Sequence, residues 1–527
     1  MKRLLAVLID HRLLKNFSRC FYRGLPHSKH VPAGHWPIAN SMDGSTNGSS
    51  ATPTRNKQRT MRNLHQNGQY SAHRRWETVD SGGGGNSRNG SSSTSGPRDR
   101  FEFTLMNYNI LAQDLLDSHA ALYGEHDPEG LPWELRCKRL LAEINTIKPD
   151  ILCLQELQET HAESFCSGLP QHYAMLYKKR TGNDKTDGCA LFYRRDLFEL
   201  VTHHKVEFYQ PKVNKLNREN VAIIAKLALK ANPRAKLVIS TTHLLYNPRR
   251  QDVRLAQVQV LLAELDRLAF SGTMPNGIPR YEPVILCGDF NLQPFTAPYE
   301  LLTKGFLRYD RLDSRSLQPA NSWHGHVEQV GKYFLPPALG ITDKCQHTTL
   351  RDREKVHREE VPPSHLTKLY HSNHEKEDGE PSGNGSPSKE RNSSRSEFSS
   401  GALTHQFVFS SAYRHYGPDS AQDRRQATTF QDEWITVDYL FYTPYRSVAE
   451  CTRQLPNWNL ELLQTYSLPT VQQCGREIGY IPNRQYGSDH FSLAGRFLLT
   501  VPREDQIEQK KQSLIEEFQQ YIRSVKI

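Results

Sequence analysis

The sequence predicts an α/β fold for most of its 527 residues. Two observations support this prediction: short apolar runs typical of strands, and amphipathic runs typical of helices between them, with turn residues at many junctions. A third is the composition, since 37% hydrophobic and 24% charged residues are typical of a globular protein that also carries polar, disordered segments. Two such polar segments interrupt the α/β pattern.

Residues 1–100 are predicted to form a basic, disordered leader. Residues 40–100 are rich in Ser, Gly, Asn and Arg, as in "SGGGGNSRNGSSSTSG", and show no apolar periodicity. Residues 1–35 mix apolar and basic residues with few acids, which fits either a mitochondrial transit peptide or a plain basic leader. The apolar run at 4–9 is too short for a secretory signal or a membrane span. We therefore expect a cytoplasmic or nuclear protein, with mitochondria as the alternative, and no stable membrane association.

Predicted order begins at residue 101 and continues to residue 500. The strand "FEFTLMNYNIL" is followed by a helix that places Leu140, Ile144 and Ile147 on one face and stops before Pro149. Strands are then predicted at "DILCLQE", "GCALFY", "NVAIIAKLAL", "KLVISTTHLL" and "PVILCGDF", with a helix at "QDVRLAQVQVLLAELDRLAF" before the last of these.

A charged and Ser-rich stretch at about 350–401 is predicted to be a surface insertion. The strands "ITVDYLFY" and "DHFSLAGRFLL" follow it. Residues 501–527 are predicted to form a separate amphipathic helix, which either packs on the domain or binds a partner helix.

Net charge and cysteine content indicate the kind of partner and the cellular compartment of the protein. The net charge of +10 suits a polyanionic partner such as RNA, DNA or a membrane surface, although the basic leader carries much of it. Nine cysteines without a CxxC pair indicate neither a zinc ribbon nor a disulfide framework. A reducing compartment is the expected location.

Polar side chains recur where the predicted strands end. Any one of them could be a turn cap or a hydrogen-bonded core residue, but so many caps at strand ends would be a less economical explanation. The candidates are Asn109, Glu156, His243, Asp289, Asn291, Asp438, Asp489 and His490.

These residue types suit the hydrolysis of a phosphoester. Hard oxygen ligands without thiolates favour Mg²⁺ or Mn²⁺ over zinc. Asp289 could orient or deprotonate a water, and Glu156 could hold the metal. His490 could donate a proton to a phosphoryl oxygen if a carboxylate such as Asp438 fixes its tautomer. Asp289 and Asn291, two residues apart, are expected to point to the same face of a strand.

The order of these motifs resembles a known family. The set "YNIL … LQE … DGCALF … NVA … THLLYNP … GDFN … VDYLFY … SDHFSL" is similar to the exonuclease–endonuclease–phosphatase superfamily. Within it, "THLLYNPRR", "ITVDYLFY" and "TGNDKTDGCALFYRR" resemble the Angel proteins of the deadenylase-related branch. The resemblance covers about 101–312 and 401–500, and eight motifs in order make it specific.

The resemblance implies a four-layer, DNase I-like α/β sandwich of two packed mixed sheets flanked by helices. It also implies Mg²⁺-dependent phosphoester hydrolysis, with Mn²⁺ as an alternative. Matched residue by residue, it implies metal ligands at Glu156 and Asn109 with Asp489 for a second metal, a water-activating Asp289 with its partner Asn291, a transition-state His490 paired with Asp438, a phosphate contact at His243, and Asn220 near the scissile phosphate.

The substrate expected from this resemblance is the 3′ end of RNA. Removal of a 2′,3′-cyclic phosphate is favoured, because no leucine-rich repeat precedes residue 101 and the stretch "TTFQDEWITVD" departs in spacing from the adenine-stacking motif of deadenylases. A 3′–5′ poly(A) exoribonuclease is the alternative, and an RNA-binding protein without turnover is an alternative of another class. Trp434 or Phe430 could stack a base. Arg249 and Arg250 could contact the RNA backbone or simply begin a solvated helix.

Overall fold

The computed structural model describes residues 74–79, 100–273, 279–319, 328–348, 397–417, 419–444, 459–501 and 516. Residues 1–73, most of the insertion at about 350–401 and nearly all of the helix predicted over 501–527 lie outside the described residues. The predictions for those segments therefore stay predictions.

Seven strands form the first sheet. They are β1 (Trp76–Thr78), β2 (Arg100–Asn109), β3 (Ile151–Gln158), β4 (Tyr173–Lys179), β5 (Asp187–Arg194), β18 (Asn459–Tyr466) and β19 (Leu493–Thr500). Their order is β1-β18-β19-β2-β3-β5-β4, with β2 and β3 parallel and the other neighbours antiparallel.

Six strands form the second sheet. They are β6 (Phe198–Glu207), β7 (Val221–Leu229), β8 (Asn232–His243), β11 (Val284–Asp289), β14 (Ser410–Ser411) and β17 (Asp438–Tyr442). Their order is β14-β17-β11-β8-β7-β6, with β8 and β11 parallel. Three small sheets pair β9 (Phe270–Thr273) with β10 (Pro279–Tyr281), β12 (Phe306–Arg308) with β13 (Ala402–Thr404), and β15 (Thr429–Gln431) with β16 (Glu433–Ile435).

The helices that cover the sheets include α2 (Trp133–Ile147), which ends where Lys148 adopts a left-handed φ of 52° just before Pro149. In the described ranges the helices are α1 (Gln113–Ser118), α2 (Trp133–Ile147), α3 (Glu159–Ser167), α4 (Gln251–Ala269), α5 (Ala297–Lys304) and α6 (Val471–Gln473). None of the helices described is long and apolar enough to cross a membrane.

The layers are an outer helix layer, two sheets face to face, and a second outer helix layer. Between the sheets, Leu105 and Ile151 of the first sheet share one core with Ile239 of the second. Leu140 of α2 belongs to a core on the far side of the first sheet, and Leu262 of α4 to a core on the far side of the second. The predicted four-layer α/β sandwich is therefore confirmed.

The leader contains one structured segment that the sequence did not predict. Residues 74–79, inside the stretch assigned to disorder, include β1, which pairs antiparallel with β18 at the edge of the first sheet. Arg74 is buried beneath it and ion-pairs with Glu143 of α2 at 2.9 Å. The boundary of the folded unit therefore lies before residue 100, because a long-range ion pair fixes a segment that has no apolar periodicity.

All seven cysteines in the described ranges are free thiols, and five of them are buried. The prediction that the chain carries no disulfide framework stays a prediction.

Candidate active site

The topology brings the polar strand ends to one edge of the sandwich. In the second sheet Asp289, the last residue of β11, lies opposite His243, the last residue of β8, and opposite Asp438, the first residue of β17. In the first sheet Asn109 ends β2 beside β3. Parallel neighbours end at the same edge and antiparallel neighbours begin there, so these side chains converge.

Glu156 reaches the centre of this edge because β3 is bulged. The pairing of β3 with β5 shifts register between Leu154 and Leu157, and Glu156 adopts a left-handed φ of 60°. Its Oε1 accepts a 2.8 Å hydrogen bond from Asn109 Nδ2, and its Oε2 accepts one of 3.1 Å from the Ala112 amide. A strained backbone held by two side-chain bonds is typical of a functional position.

Asp289 lies beside Glu156 and shares its partner. Asn109 Nδ2 also donates to Asp289 Oδ2 at 3.0 Å, so a single amide bridges the two carboxylates. The His243 ring lies between them, with Nε2 3.6 Å from Asp289 Oδ2 and Nδ1 4.0 Å from Glu156 Oε1. The Oδ1 atom of Asn109 accepts from the Leu111 amide, so its predicted role as a metal ligand stays a prediction.

His490 is oriented by Asp438. Its Nδ1 donates to Asp438 Oδ2 at 2.8 Å, which leaves Nε2 directed toward Asp289 Oδ2 at 3.8 Å and Asp489 Oδ1 at 3.9 Å. The backbone of this segment is fixed as well, because Ser488 Oγ donates to the Asn109 carbonyl and accepts from the His490 amide. The imidazole is thus held in one orientation with its second nitrogen facing the cleft.

Asp489 is joined to the site through a residue that the sequence reasoning missed. Tyr123 donates its hydroxyl to Asp489 Oδ2 at 2.9 Å, and burial followed by Asp489 raises the pKa of that phenol well above its usual value. Tyr123 lies in a short 3₁₀ turn with no motif around it, so nothing local in the sequence marked it.

Burial and crowding of like charge shift the pKa values of the site. Burial, followed by Asp438, raises the pKa of Asp289 to about 8. Burial and then Asp489 raise the pKa of Glu156. Burial opposes protonation of His490, yet its neighbours Asp438, Asp489 and Asp289 raise its pKa well above the usual value. Burial, followed by Arg180, lowers the pKa of His243 to about 3, so this ring is neutral.

These residues fit a divalent cation. One ligand atom from each of Glu156, His243 and Asp289 lies within 4.8 Å of the others. The Nδ1 atom of His243 is buried without a hydrogen-bond partner, and two carboxylates with raised pKa values lie next to it. A cation among them would stabilise the charged form of both carboxylates, which burial and then neighbouring carboxylates disfavour, and oxygen donors favour a hard ion.

Asn291 and Asn220 anchor the backbone beneath the site. Because β11 ends at Asp289, the strand alternation expected to align Asn291 with it does not extend that far, and Asn291 adopts a left-handed φ of 51°. Its Nδ2 donates to the Leu244 carbonyl at 3.0 Å. Asn220 Nδ2 donates to the His243 carbonyl at 3.0 Å, so both asparagines hold the segment after β8. Any direct contact of either with a substrate stays a prediction.

Two of the side chains predicted to contact RNA bind other residues of the protein. Arg250 pairs through two nitrogens with Asp252 at the start of α4, each bond 2.9 Å long, whereas Arg249 is exposed. Trp434 is half-buried and stacks on Phe491, with ring centroids 5.8 Å apart. The structure therefore assigns Arg250 and Trp434 contacts within the protein, and their roles toward RNA stay predictions.

Two buried arginines support the site, and sequence reasoning missed both. Arg136 of α2 donates to the carbonyls of Ile110, Leu111 and Gly487, which flank Asn109 and Ser488 in the chain. Arg254 of α4 donates to the carbonyls of Leu245, Tyr246, Asn247 and Pro248. Each is an ordinary arginine on a helix in the sequence, and only its burial reveals its role.

An open cavity of about 620 Å³ lies between α1 and the segment that joins β4 to β5. It is lined by Asp114, Leu115, Asp117, Ser118, His119, Arg180, Asp184, Lys185, Thr186 and Asp187. Arg180 and Asp187 both act electrostatically on His243, so the cavity approaches the site from that side.

Comparison with known proteins matches the part of the chain that carries the site to one family. The model of the endonuclease/exonuclease/phosphatase family matches residues 106–490. The human protein angel homolog 2 is 33% identical over 415 residues, covering 76% of this chain and 70% of that relative. The Drosophila melanogaster protein angel is 30% identical over 482 residues, covering 90% of this chain and 99% of that relative.

A solved structure shares both sequence and fold. The crystal structure of ANGEL2, a 2′,3′-cyclic phosphatase, in complex with adenosine-2′,3′-vanadate is 31% identical and has a TM-score of 0.59. The match covers 81% of this chain and 98% of that chain.

Proposed function

Because this chain belongs to the endonuclease/exonuclease/phosphatase family, and within it to the Angel proteins, we propose that it removes 2′,3′-cyclic phosphate from the 3′ ends of RNA. The observation that carries the proposal is the complete set of Glu156, Asp289 and the Asp438–His490 pair in one cleft. It is supported by the ANGEL2 structure, whose protein is described as a 2′,3′-cyclic phosphatase.

Glu156, with His243 and Asp289 beside it, would hold the divalent cation, for which we propose Mg²⁺ with Mn²⁺ as the alternative. Such an ion, when bound, neutralises charge on phosphoryl oxygens and lowers the pKa of a water. Asn109 keeps the two carboxylates at a fixed separation by donating to both.

Asp289 is placed to take a proton from the attacking water. A general base must lie within reach of the proton that it takes, and the Asp289 carboxylate lies at the centre of the cleft, 3.8 Å from His490 Nε2. The protonated Nε2 of His490 would donate to a phosphoryl oxygen, while Asp438 holds Nδ1. Such donation stabilises charge that develops in the transition state.

Opening the ring breaks one of its two phosphoester bonds, and the freed ribose oxygen takes up a proton. A second hydrolysis at the same centre breaks the remaining bond and releases inorganic phosphate, leaving a 2′,3′-diol. The open cavity beside Arg180 offers room for the RNA strand to reach the site. A reducing compartment such as the cytoplasm or nucleus suits the free thiols, and mitochondria remain the alternative suggested by the basic leader.

The test uses the full chain and one RNA sequence with four ends: hydroxyl, 3′-phosphate, 2′,3′-cyclic phosphate and an oligo(A) tail. Each RNA is incubated with the unchanged protein in Mg²⁺ and in EDTA, and with the variants Asp289→Ala and Asp196→Ala in Mg²⁺. Asp196 is an exposed carboxylate paired with Arg194 and serves as the matched control. Loss of the cyclic phosphate without shortening, abolished by EDTA and by Asp289→Ala alone, is expected.

Two other outcomes would contradict the proposal. A ladder of shortened oligo(A) would identify a 3′–5′ exoribonuclease. Tight binding with all four ends untouched would identify an RNA-binding protein without turnover.

A further inference from the structure

The segment that follows β8 is fixed to the site from below. The Leu244 amide donates to the Asp289 carbonyl at 2.9 Å, and the Leu244 carbonyl accepts from Asn291 Nδ2 at 3.0 Å. The Leu245 amide donates to Gln257 Oε1 at 3.0 Å. The two residues after His243 are therefore held by the same strand end that carries the proposed base.

Arg254 holds the next carbonyls of this segment. Its side chain is buried, and its guanidinium donates to the carbonyls of Leu245, Tyr246 and Asn247 at 2.8–3.1 Å and to that of Pro248 at 3.0 Å. Four consecutive carbonyls bound to one planar cation cannot move independently. The backbone of 245–248 is thus pre-organised, although it lies in a loop.

One aromatic side chain projects from this fixed backbone. Tyr246 is 55% exposed, three residues after His243. Burial of part of the ring raises the pKa of the phenol, with further contributions from Asp432 and from the site residues Asp489 and Asp289, so the hydroxyl lies within electrostatic reach of the cleft. Asp432 is the turn residue between β15 and β16, so carboxylates of both that hairpin and the site act electrostatically on the Tyr246 phenol.

The aromatic residues of that hairpin, unlike Tyr246, pack against other aromatic rings among the described residues. Phe430 contacts Trp434 and Tyr480 at centroid distances of 5.2 and 5.0 Å, and Trp434 stacks on Phe491. Leaving a large ring in water beside a phosphate site has no benefit for stability, whereas a rigid, exposed ring loses little entropy when a ligand stacks on it.

We propose that Tyr246 is a stacking platform for the nucleobase of the nucleotide whose phosphate is hydrolysed. The inference rests on the proposed function and names the residue that would bind the base. Every nucleobase presents a π face, so stacking binds RNA ends without selecting their sequence. That suits an enzyme whose substrates all end in the same phosphate group but differ in their terminal base.

The test compares Tyr246→Ala and Tyr246→Phe with Phe306→Ala in the full chain. Phe306 is a 44% exposed aromatic residue on β12 and serves as the control. The substrates are two RNAs that end in a 2′,3′-cyclic phosphate: one with a terminal adenine, and one whose last ribose carries hydrogen in place of the base. Binding of the same two RNAs to Asp289→Ala, with and without Tyr246→Ala, is measured by fluorescence anisotropy.

Tyr246→Ala is expected to raise KM for the adenine end roughly 5- to 150-fold, the range that stacking of one base supports, with little change in kcat. Tyr246→Phe and Phe306→Ala should behave like the unchanged protein. On the baseless end, Tyr246→Ala should make no difference.

An unchanged KM for the adenine end, or an equal loss on both ends, would overturn the inference, since the first excludes contact and the second indicates a general effect on the loop. If the unchanged protein leaves the cyclic phosphate intact, the proposed function fails. The anisotropy comparison of the two RNA ends still decides whether Tyr246 binds the base.

Discussion

Replacing Arg74 with alanine should remove a large part of the free energy of unfolding of the catalytic unit. This effect is expected although the residue lies in the leader that the sequence assigns to disorder. Its guanidinium donates to Glu143 Oε1 at 2.9 Å, to Ser492 Oγ at 3.0 Å and to the Ser467 carbonyl at 2.9 Å, and it also binds the Ser492 carbonyl. It lies 4.3 Å from the centre of the Tyr466 ring. The partners come from the end of β18 and the residue after it, from α2, and from the segment that follows His490.

The magnitude follows from what the substitution leaves behind. Glu143 is 1% exposed, so without Arg74 it becomes a buried carboxylate without its cation. Removing one partner of a buried ion pair costs about 3–5 kcal/mol, and a folded domain of this kind is stable by about 5–15 kcal/mol. Glu143→Gln in the same chain should recover part of the loss, because the buried charge is then gone.

The measurement is urea unfolding of the full chain followed by tryptophan fluorescence. Arg75→Ala is the matched control, since the Arg75 side chain is 83% exposed and its ion pair with Glu77 lies at the surface. A chain that begins at residue 100 should lose as much stability as Arg74→Ala. A free energy of unfolding for Arg74→Ala within about 1 kcal/mol of the Arg75→Ala value would refute the reasoning, because that is the upper range for an exposed pair.

Three further predictions concern the site and the core. Gly288→Ala should lower the free energy of unfolding by at least about 3 kcal/mol, because φ is 144° and an added Cβ would lie 2.1 Å from the Thr242 carbonyl oxygen. Gly331→Ala, whose added Cβ would have nothing within 4 Å, should be nearly neutral in the same urea unfolding measurement. Burial lowers the pKa of His405 to about 4, so as pH falls the unfolded chain, with a histidine pKa of about 6.5, binds the proton first. The contribution of His405 to the free energy of unfolding is therefore fully present above pH 6.5 and is lost on acidification, by about 2 kcal/mol between pH 7 and pH 5. If the free energy of unfolding of His405→Gln depended on pH as it does in the unchanged protein, this reasoning would be contradicted. In EDTA at pH 8, Asp289→Asn should be more stable than the unchanged protein, because burial and a neighbouring carboxylate disfavour the charge of Asp289. With Mg²⁺ present the same variant should lose activity, and a lower melting temperature in EDTA would count against that account.

Two of the three longer strands that escaped prediction, β4 and β6, lie at sheet edges, whereas the third, β18, lies between β1 and β19. β4 and β6 are the outermost strands of their sheets, and their sequences "YAMLYKK" and "FELVTHHKVE" mix apolar with charged residues along one run. Strands buried on both faces, such as β7 and β11, read as continuous apolar runs and were predicted close to their observed bounds. Edge strands need fewer apolar residues, so their signal is weaker.

For the site, the sequence by itself determined which side chains end the buried strands and what chemistry they support, because alternation, burial and ligand type are properties of short segments. The tertiary structure alone decided their partners. Asn109 bridges Glu156 and Asp289 across 47 and 180 residues of chain, and Arg74 reaches Ser492 across 418. Tyr123, Arg136 and Arg254 carry no local signal, since each acts through hydrogen bonds to groups that only the folded chain brings within 3.1 Å. Hydrogen bonds depend on distances of a few tenths of an ångström, and those distances are set by topology and strand register rather than by neighbouring residues.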